Sequence, residues 1–168
     1  MNKKGFTLVE LLAVIVILAL IMSIAIISIG GVLDSAKTST YKETAASIID
    51  GVKKQLLINN ALEAGDYYFS KAVLDKGGNE SPFGGTLTIP DSLSTANGGN
   101  CAGGTMIGTG ICRTAAAVGS CSATTNPSYV HIAADKTASI CLTVGAANTK
   151  YINLVTEAAL LGGGDVIS

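Results

Sequence analysis

The sequence predicts an α+β fold: a long N-terminal α-helix, apolar in its first half and amphipathic in its second, packed on a small antiparallel β-sheet with a disulfide-tied loop. Three observations point there. An unbroken apolar run lies near the N-terminus, a helical-period apolar stripe follows it, and four cysteines sit in the second half among short β-like runs. The chain has 168 residues, 48% of them apolar, which suits one modest core plus a specialised segment better than two domains. Only 14% are charged and the net charge is −1, with no block of like charge. Bulk electrostatics therefore draws the chain toward neither nucleic acid nor anionic lipid.

Lys3 and Lys4 precede a stretch from Phe6 to Ile29 in which Glu10 is the single charged residue and Thr7, Ser23 and Ser28 are the other polar ones. As a helix it would span roughly 36 Å at about 1.5 Å per residue, enough to cross a bilayer. The lysines would stay cytoplasmic and everything after about residue 30 would lie outside. A disposable secretory signal, cut near Ser23-Ile24-Ala25, shares the basic start and apolar stretch. Glu10 argues against it, because a carboxylate costs on the order of 2.5–3.5 kcal/mol at the membrane centre and a disposable leader has no use for one. A lipoprotein is excluded because the first cysteine is Cys101.

The run Lys3-Lys4-Gly5-Phe6-Thr7-Leu8-Val9-Glu10-Leu11-Leu12 resembles the prepilin cleavage motif of type IV pilins and pseudopilins. The resemblance implies that a membrane prepilin peptidase cuts after Gly5 and methylates the new N-terminus, Phe6. It also implies that Glu10 of one subunit meets the Phe6 amine of a neighbour and so sets the register of assembly. The chemistry suits these residues. Gly5 lacks the Cβ that limits how a chain enters a protease, and cleavage creates a largely cationic amine one helical turn from Glu10. A buried ion pair of that kind is a better device for register than for stability. The bland alternative is that Glu10 snorkels to the interface.

Beyond Gly30 and Gly31, residues Tyr41, Ala45, Ile48, Ile49, Val52 and Leu56 recur at helical spacing, with Lys42, Glu43, Asp50, Lys53 and Lys54 elsewhere around the wheel. No proline occurs before Pro82, so the helix is expected to reach about Leu62, with Gly65 as terminator, a length of about 85 Å from Phe6. The Gly30-Gly31 pair costs roughly 2 kcal/mol of helix propensity, and a kink there stands against a continuous helix held by its neighbours. Strand-like runs follow at Gly85–Pro90, Tyr129–Ala133, Ala138–Val144 and Tyr151–Val155, and Asp135-Lys136 suggests a hairpin.

The segment Asp91–Pro127 is rich in Gly, Ser, Thr, Asn and Ala and holds three of the four cysteines, so it reads as a long irregular loop tied down by them. Ala138, Ile140, Leu142 and Val144 alternate onto one face, which points Cys141 to the other and lets its bridge pin the loop across the sheet's outer side. Cys101, Cys112, Cys121 and Cys141 allow three pairings, of which Cys101–Cys112 with Cys121–Cys141 is favoured. Zinc is the rival, but no C-x-x-C pair exists and His131 is the only histidine.

No catalytic constellation emerges. His131 sits in a strand-like run with no acidic partner or nucleophile placed by spacing, the glycines at Gly103–Gly110 lack the Gly-Lys-Ser/Thr of a phosphate loop, and Arg113 is the only cation between Asp91 and Pro127. No enzyme, cofactor, metal or strong nucleic-acid binding by one subunit is expected. The expected organisation is a leader at 1–5, a transmembrane and filament-core half-helix at 6–30, and an extracellular head at 31–168. Partners implied by the resemblance are copies of the chain in a helical filament, the prepilin peptidase, the assembly platform with its ATPases, and the cytoplasmic membrane before assembly on the cell surface. A pseudopilin of a secretion or DNA-uptake apparatus is the nearest alternative. A secreted or membrane-anchored binding protein is the alternative from another class.

Overall fold

The computed structural model describes residues 5–74, 81–83, 86–93, 101, 103–114, 121, 128–144, 151–162 and 167, with the backbone alone at 27 and 28. The chain divides into two units, residues 1–37 and residues 38–168. Helix α1 runs Leu8–Ile58 and includes Gly30 and Gly31 without interruption.

In the larger unit, the apolar stripe of α1 is the organising surface. Tyr41, Ala45, Ile48, Ile49, Val52 and Leu56 are all buried, because their 3–4-residue spacing returns each to one face. The helix ends earlier than the composition suggests, at Ile58 rather than Leu62. Asn60 adopts a left-handed conformation (φ 52°), and the Ala61 and Asn60 amides donate to the Leu56 and Leu57 carbonyls, at 2.9 and 3.1 Å. This is a Schellman closure with asparagine where glycine is commoner. Gly65, expected as the terminator, instead opens the first strand.

Six strands follow: β1 Gly65–Phe69, β2 Thr105–Ile107, β3 Ile111–Thr114, β4 Tyr129–Ile132, β5 Ala138–Leu142 and β6 Ile152–Thr156, with a short helix α2 at Glu157–Leu161. They form one sheet in the order β2-β3-β1-β4-β5-β6, every neighbouring pair antiparallel. Its helix-facing side contributes Tyr67, Phe69, Ile111, Val130, Ile132, Ile140, Leu142 and Ile152 to a single core with the α1 stripe. Tyr41 stands at the junction. Its hydroxyl donates to the Leu142 carbonyl at 3.2 Å, its ring meets Phe83 edge-on at 5.9 Å, and burial pushes its phenol far above the usual range.

Three expected boundaries move. The run at Tyr129–Ala133 stops at Ile132, that at Tyr151–Val155 becomes Ile152–Thr156, and that at Ala138–Val144 ends at Leu142, with Val144 making an isolated bridge to Leu87. The run at Gly85–Pro90 is therefore an outlying bridge rather than a sheet strand, and Gly85 lies outside the described residues. The β4–β5 hairpin uses three loop residues, Ala134–Lys136, with Lys136 left-handed (φ 70°) and Asp135 accepting from the Thr137 amide at 2.9 Å. That bond holds the Asp135 carboxyl below its ordinary range.

The segment read as an irregular loop contains β2 and β3, so the glycines at 103–110 belong to a hairpin. The bridge Cys101–Cys112 straps it. Gly104 lies against this bridge so closely that a Cβ would fall 2.6 Å from Cys112 Sγ and 2.7 Å from the Arg113 carbonyl oxygen. On the side of the sheet away from α1, Cys121–Cys141 packs with Tyr129 and with the partly buried Tyr68, Tyr151 and Leu154. At the β6 edge, Asn153 and Leu154 together oppose Cys141, a bulge with Leu154 left-handed at φ 46°. Ile152 also bridges to Ile167.

Gly104→Ala is expected to destabilise the larger unit by about 1–3 kcal/mol, since neither the backbone nor a bridged sulfur can yield cheaply. Thermal unfolding under non-reducing conditions measures it. Burial, reinforced by the charge of Asp66 and the Tyr68 phenol, pushes Tyr129 from 10.0 up to about 12. The folded state therefore holds the proton longer than the unfolded chain. Stability from this group is complete below pH 10 and is lost as the pH rises through the window to about 12, which alkaline titration followed by tyrosinate absorbance will detect.

Candidate functional site

In the smaller unit, Gly5 and Phe6 precede α1 as exposed non-helical chain, Phe6 being 84% exposed; Lys3 and Lys4 lie outside the described residues. Thr7 is the residue before the helix, and its geometry is that of a capping box. The Glu10 carboxylate oxygen Oε2 accepts from both the Thr7 amide and the Thr7 hydroxyl, each at 2.9 Å. The Glu10 amide in turn donates to Thr7 Oγ1 at 3.3 Å. The Thr7 carbonyl accepts the first helical bond, from Leu11, at 3.2 Å. The pattern Thr-x-x-Glu before an apolar run is the sequence signature of this cap, so the role was legible although the reading above assigned Glu10 only to register or snorkelling.

The arrangement gives Glu10 two separate surfaces. Oε2 closes the first turn of its own helix, while Oε1 accepts no hydrogen bond among the described residues. A carboxylate has room for about four donors, so a further cation can be taken without dismantling the cap. The carboxylate also sits at the positive end of the helix dipole, where negative charge is favoured.

Among the described residues from Leu8 to Leu33 the apolar side chains are exposed on every side of the helix. Leu8, Ile24, Ile26 and Val32 each exceed 70% exposure, and the described side chains from Gly5 to Ala36 include no buried one. By length and composition α1 can cross a membrane. An isolated water-exposed helix does not carry such a surface; it requires lipid or other helices. At Gly31 the carbonyl accepts a bond from Ser35 Oγ at 3.1 Å, an additional acceptor load just past the glycine pair.

The larger unit holds a buried polar pair that spacing did not expose. Asp66, on β1, is 2% exposed, and its Oδ1 lies 2.7 Å from Nδ1 of His131 on β4, its register partner. The acidic partner of His131 thus exists, brought across the sheet from 65 residues away. With Asp66 ionised, Nδ1 carries the shared proton and the histidine satisfies a carboxylate that the sheet has buried. Ser139 and Thr114 extend this polar row on either side, opposite His131 and Asp66 respectively. Among the described residues there is no group of three or more His, Cys, Asp or Glu able to hold a metal ion. The four cysteines are paired as Cys101–Cys112 and Cys121–Cys141.

Residues 1–26 match the family described as the prokaryotic N-terminal methylation motif. No curated protein and no solved structure matches the chain.

Thr7→Ala is expected to fray the start of α1, speeding amide exchange at Glu10 and Leu11, whose N–H groups bond to Thr7, by about tenfold in detergent micelles while leaving the head unchanged. Hydrogen exchange read by NMR checks it. The match covers Gly5, Phe6 and Glu10 together with the start of the apolar helix, and residues 1–26 therefore carry a prokaryotic N-terminal methylation motif.

Proposed function

We propose that this chain is the structural subunit of an extracellular type IV pilus, made as a membrane-inserted prepilin and cut after Gly5. On this reading residues 1–5 are the leader, 6–30 the membrane and later filament-core half of the helix, and 31–168 the extracellular head. The observation that carries it is a helix whose described apolar side chains are exposed all round from Leu8 to Leu33 and whose first turns lie within a methylation motif. Such a surface suits lipid first and neighbouring helices afterwards, and the two environments are nearly interchangeable for aliphatic side chains.

Glu10 has the chemistry for register. Its free oxygen Oε1 takes the methylated Phe6 amine of an adjacent copy, and an uncompensated charge is left among apolar helices whenever the two are out of step. The prepilin peptidase, an assembly platform and its ATPases are the partners of this route, and the mature protein resides in a surface filament. The two disulfides suit an exported protein, since such bridges persist where the surroundings are oxidising. The pilus serves adhesion, motility or DNA uptake.

Intact-mass and N-terminal peptide analysis of protein sheared from cells tests the reading. A chain beginning with N-methylated Phe6 is expected; one beginning near Ile26 would mean an ordinary secreted protein. Glu10→Ala is expected to insert in the membrane normally yet yield at least about tenfold less filament, the cost of one unpaired buried charge being several kcal/mol. Normal filaments from that variant, counted by electron microscopy, would remove the pairing role.

A further inference from the structure

The Gly5–Phe6 bond lies where free backbone gives way to committed backbone. Both residues are non-helical, a Cβ on Gly5 would meet no atom within 4 Å, and among the described residues their main-chain groups make no hydrogen bond. Commitment begins at Thr7. Its amide donates to Glu10 Oε2 at 2.9 Å, and its carbonyl accepts from the Leu11 amide at 3.2 Å. The Glu10 amide, which a longer helix would give to the Phe6 carbonyl, goes to Thr7 Oγ1 instead. The capping box therefore leaves one uncommitted residue, Phe6, on the mature side of the bond.

We propose that this box is a brake on leader removal: the peptidase must draw the Thr7 main chain out of the first turn before it cuts. The inference rests on the prepilin reading above. An enzyme that takes its substrate as extended chain holds it by main-chain hydrogen bonds, as one strand adds to another. Phe6 is open to such binding. The next donor, the Thr7 amide, is already bonded to Glu10, and freeing it breaks up a set of three bonds shared by two side chains.

Hydrolysis then gives the hydroxyl of water to the Gly5 carbonyl carbon, breaks the C–N bond, and leaves the other hydrogen of that water on the Phe6 nitrogen as an amine. Every group of the box lies on the mature side of the cut, so it closes again once the leader has gone. Thr7 and Glu10 act here through the backbone, as positioning residues.

The test is cleavage of the full-length prepilin by a prepilin peptidase in detergent micelles, with amide exchange at Leu11 followed on the same variants. Thr7→Ala and Glu10→Ala are each expected to raise kcat/KM for the cut after Gly5 by about tenfold, matching the rise in exchange, because one local opening governs both. Thr7→Ser keeps the capping hydroxyl and Glu10→Gln keeps the box without the charge, so both should cleave and exchange like wild type. Faster exchange without faster cleavage overturns the proposal, as do alanine variants that change neither rate. Slower cleavage of Thr7→Ala overturns it by showing that the hydroxyl is read directly, and acceleration by Glu10→Gln by showing that charge sets the rate. In each of these cases the wild-type chain is still cut after Gly5 and the prepilin reading stands, whereas a wild-type chain left uncut there overturns both.

Discussion

The larger unit depends on burial of one face of α1, the stripe Tyr41, Ala45, Ile48, Ile49, Val52 and Leu56, against one side of an antiparallel sheet. That contact supplies the core, and the hydrophobic effect makes it the dominant favourable term. Other features are arranged around it. Asn60 stops the helix where the stripe ends. Tyr67 Oη donates to the Glu63 carbonyl at 2.7 Å, Arg113 donates to the Ala64 carbonyl at 2.9 Å, and Lys136 donates to the Leu62 carbonyl at 2.7 Å. Side chains from strands β1 and β3 and from the β4–β5 loop thereby satisfy the carbonyls of the turn that joins helix to strand.

Much of this was legible in the residues because periodicity reports burial directly. All six stripe positions, the outward placement of Cys141 and the β-character around Tyr129, Ile140 and Ile152 follow from spacing alone. What escaped was set by contacts distant in sequence. Strand β1 is five residues long and carries a buried aspartate whose partner, His131, is supplied by another strand, so neither residue advertises the pair. Strands β2 and β3 lie in a Gly- and Thr-rich stretch, where a covalent strap and close backbone approach at Gly104 do the ordering that hydrophobic alternation does elsewhere. The Thr7–Glu10 cap was the opposite case: local and written in the sequence, yet overshadowed by the stronger charge argument for Glu10.

The cap at Glu10 would reinforce the register role proposed for it. A carboxylate free to rotate would offer a neighbour's amine a moving target and lose side-chain entropy on pairing. Anchored through Oε2 to Thr7, it presents Oε1 in a nearly fixed place, and the helix start is tightened by the same bonds. Preorganisation of this kind lowers the cost of association without adding a contact.

The sheet's two margins bear on how such a chain can polymerise at all. Strand β2 is three residues long and lies beside a disulfide, while β6 is kinked by the bulge at Leu154 and bridged at Ile152. Short, bent or occupied margins make poor templates for another chain's backbone. In the proposed filament, heads crowded together would thereby be kept from zipping strand to strand, the route that leads to cross-β aggregates. Growth of such a filament would then be left to side-chain packing between helices.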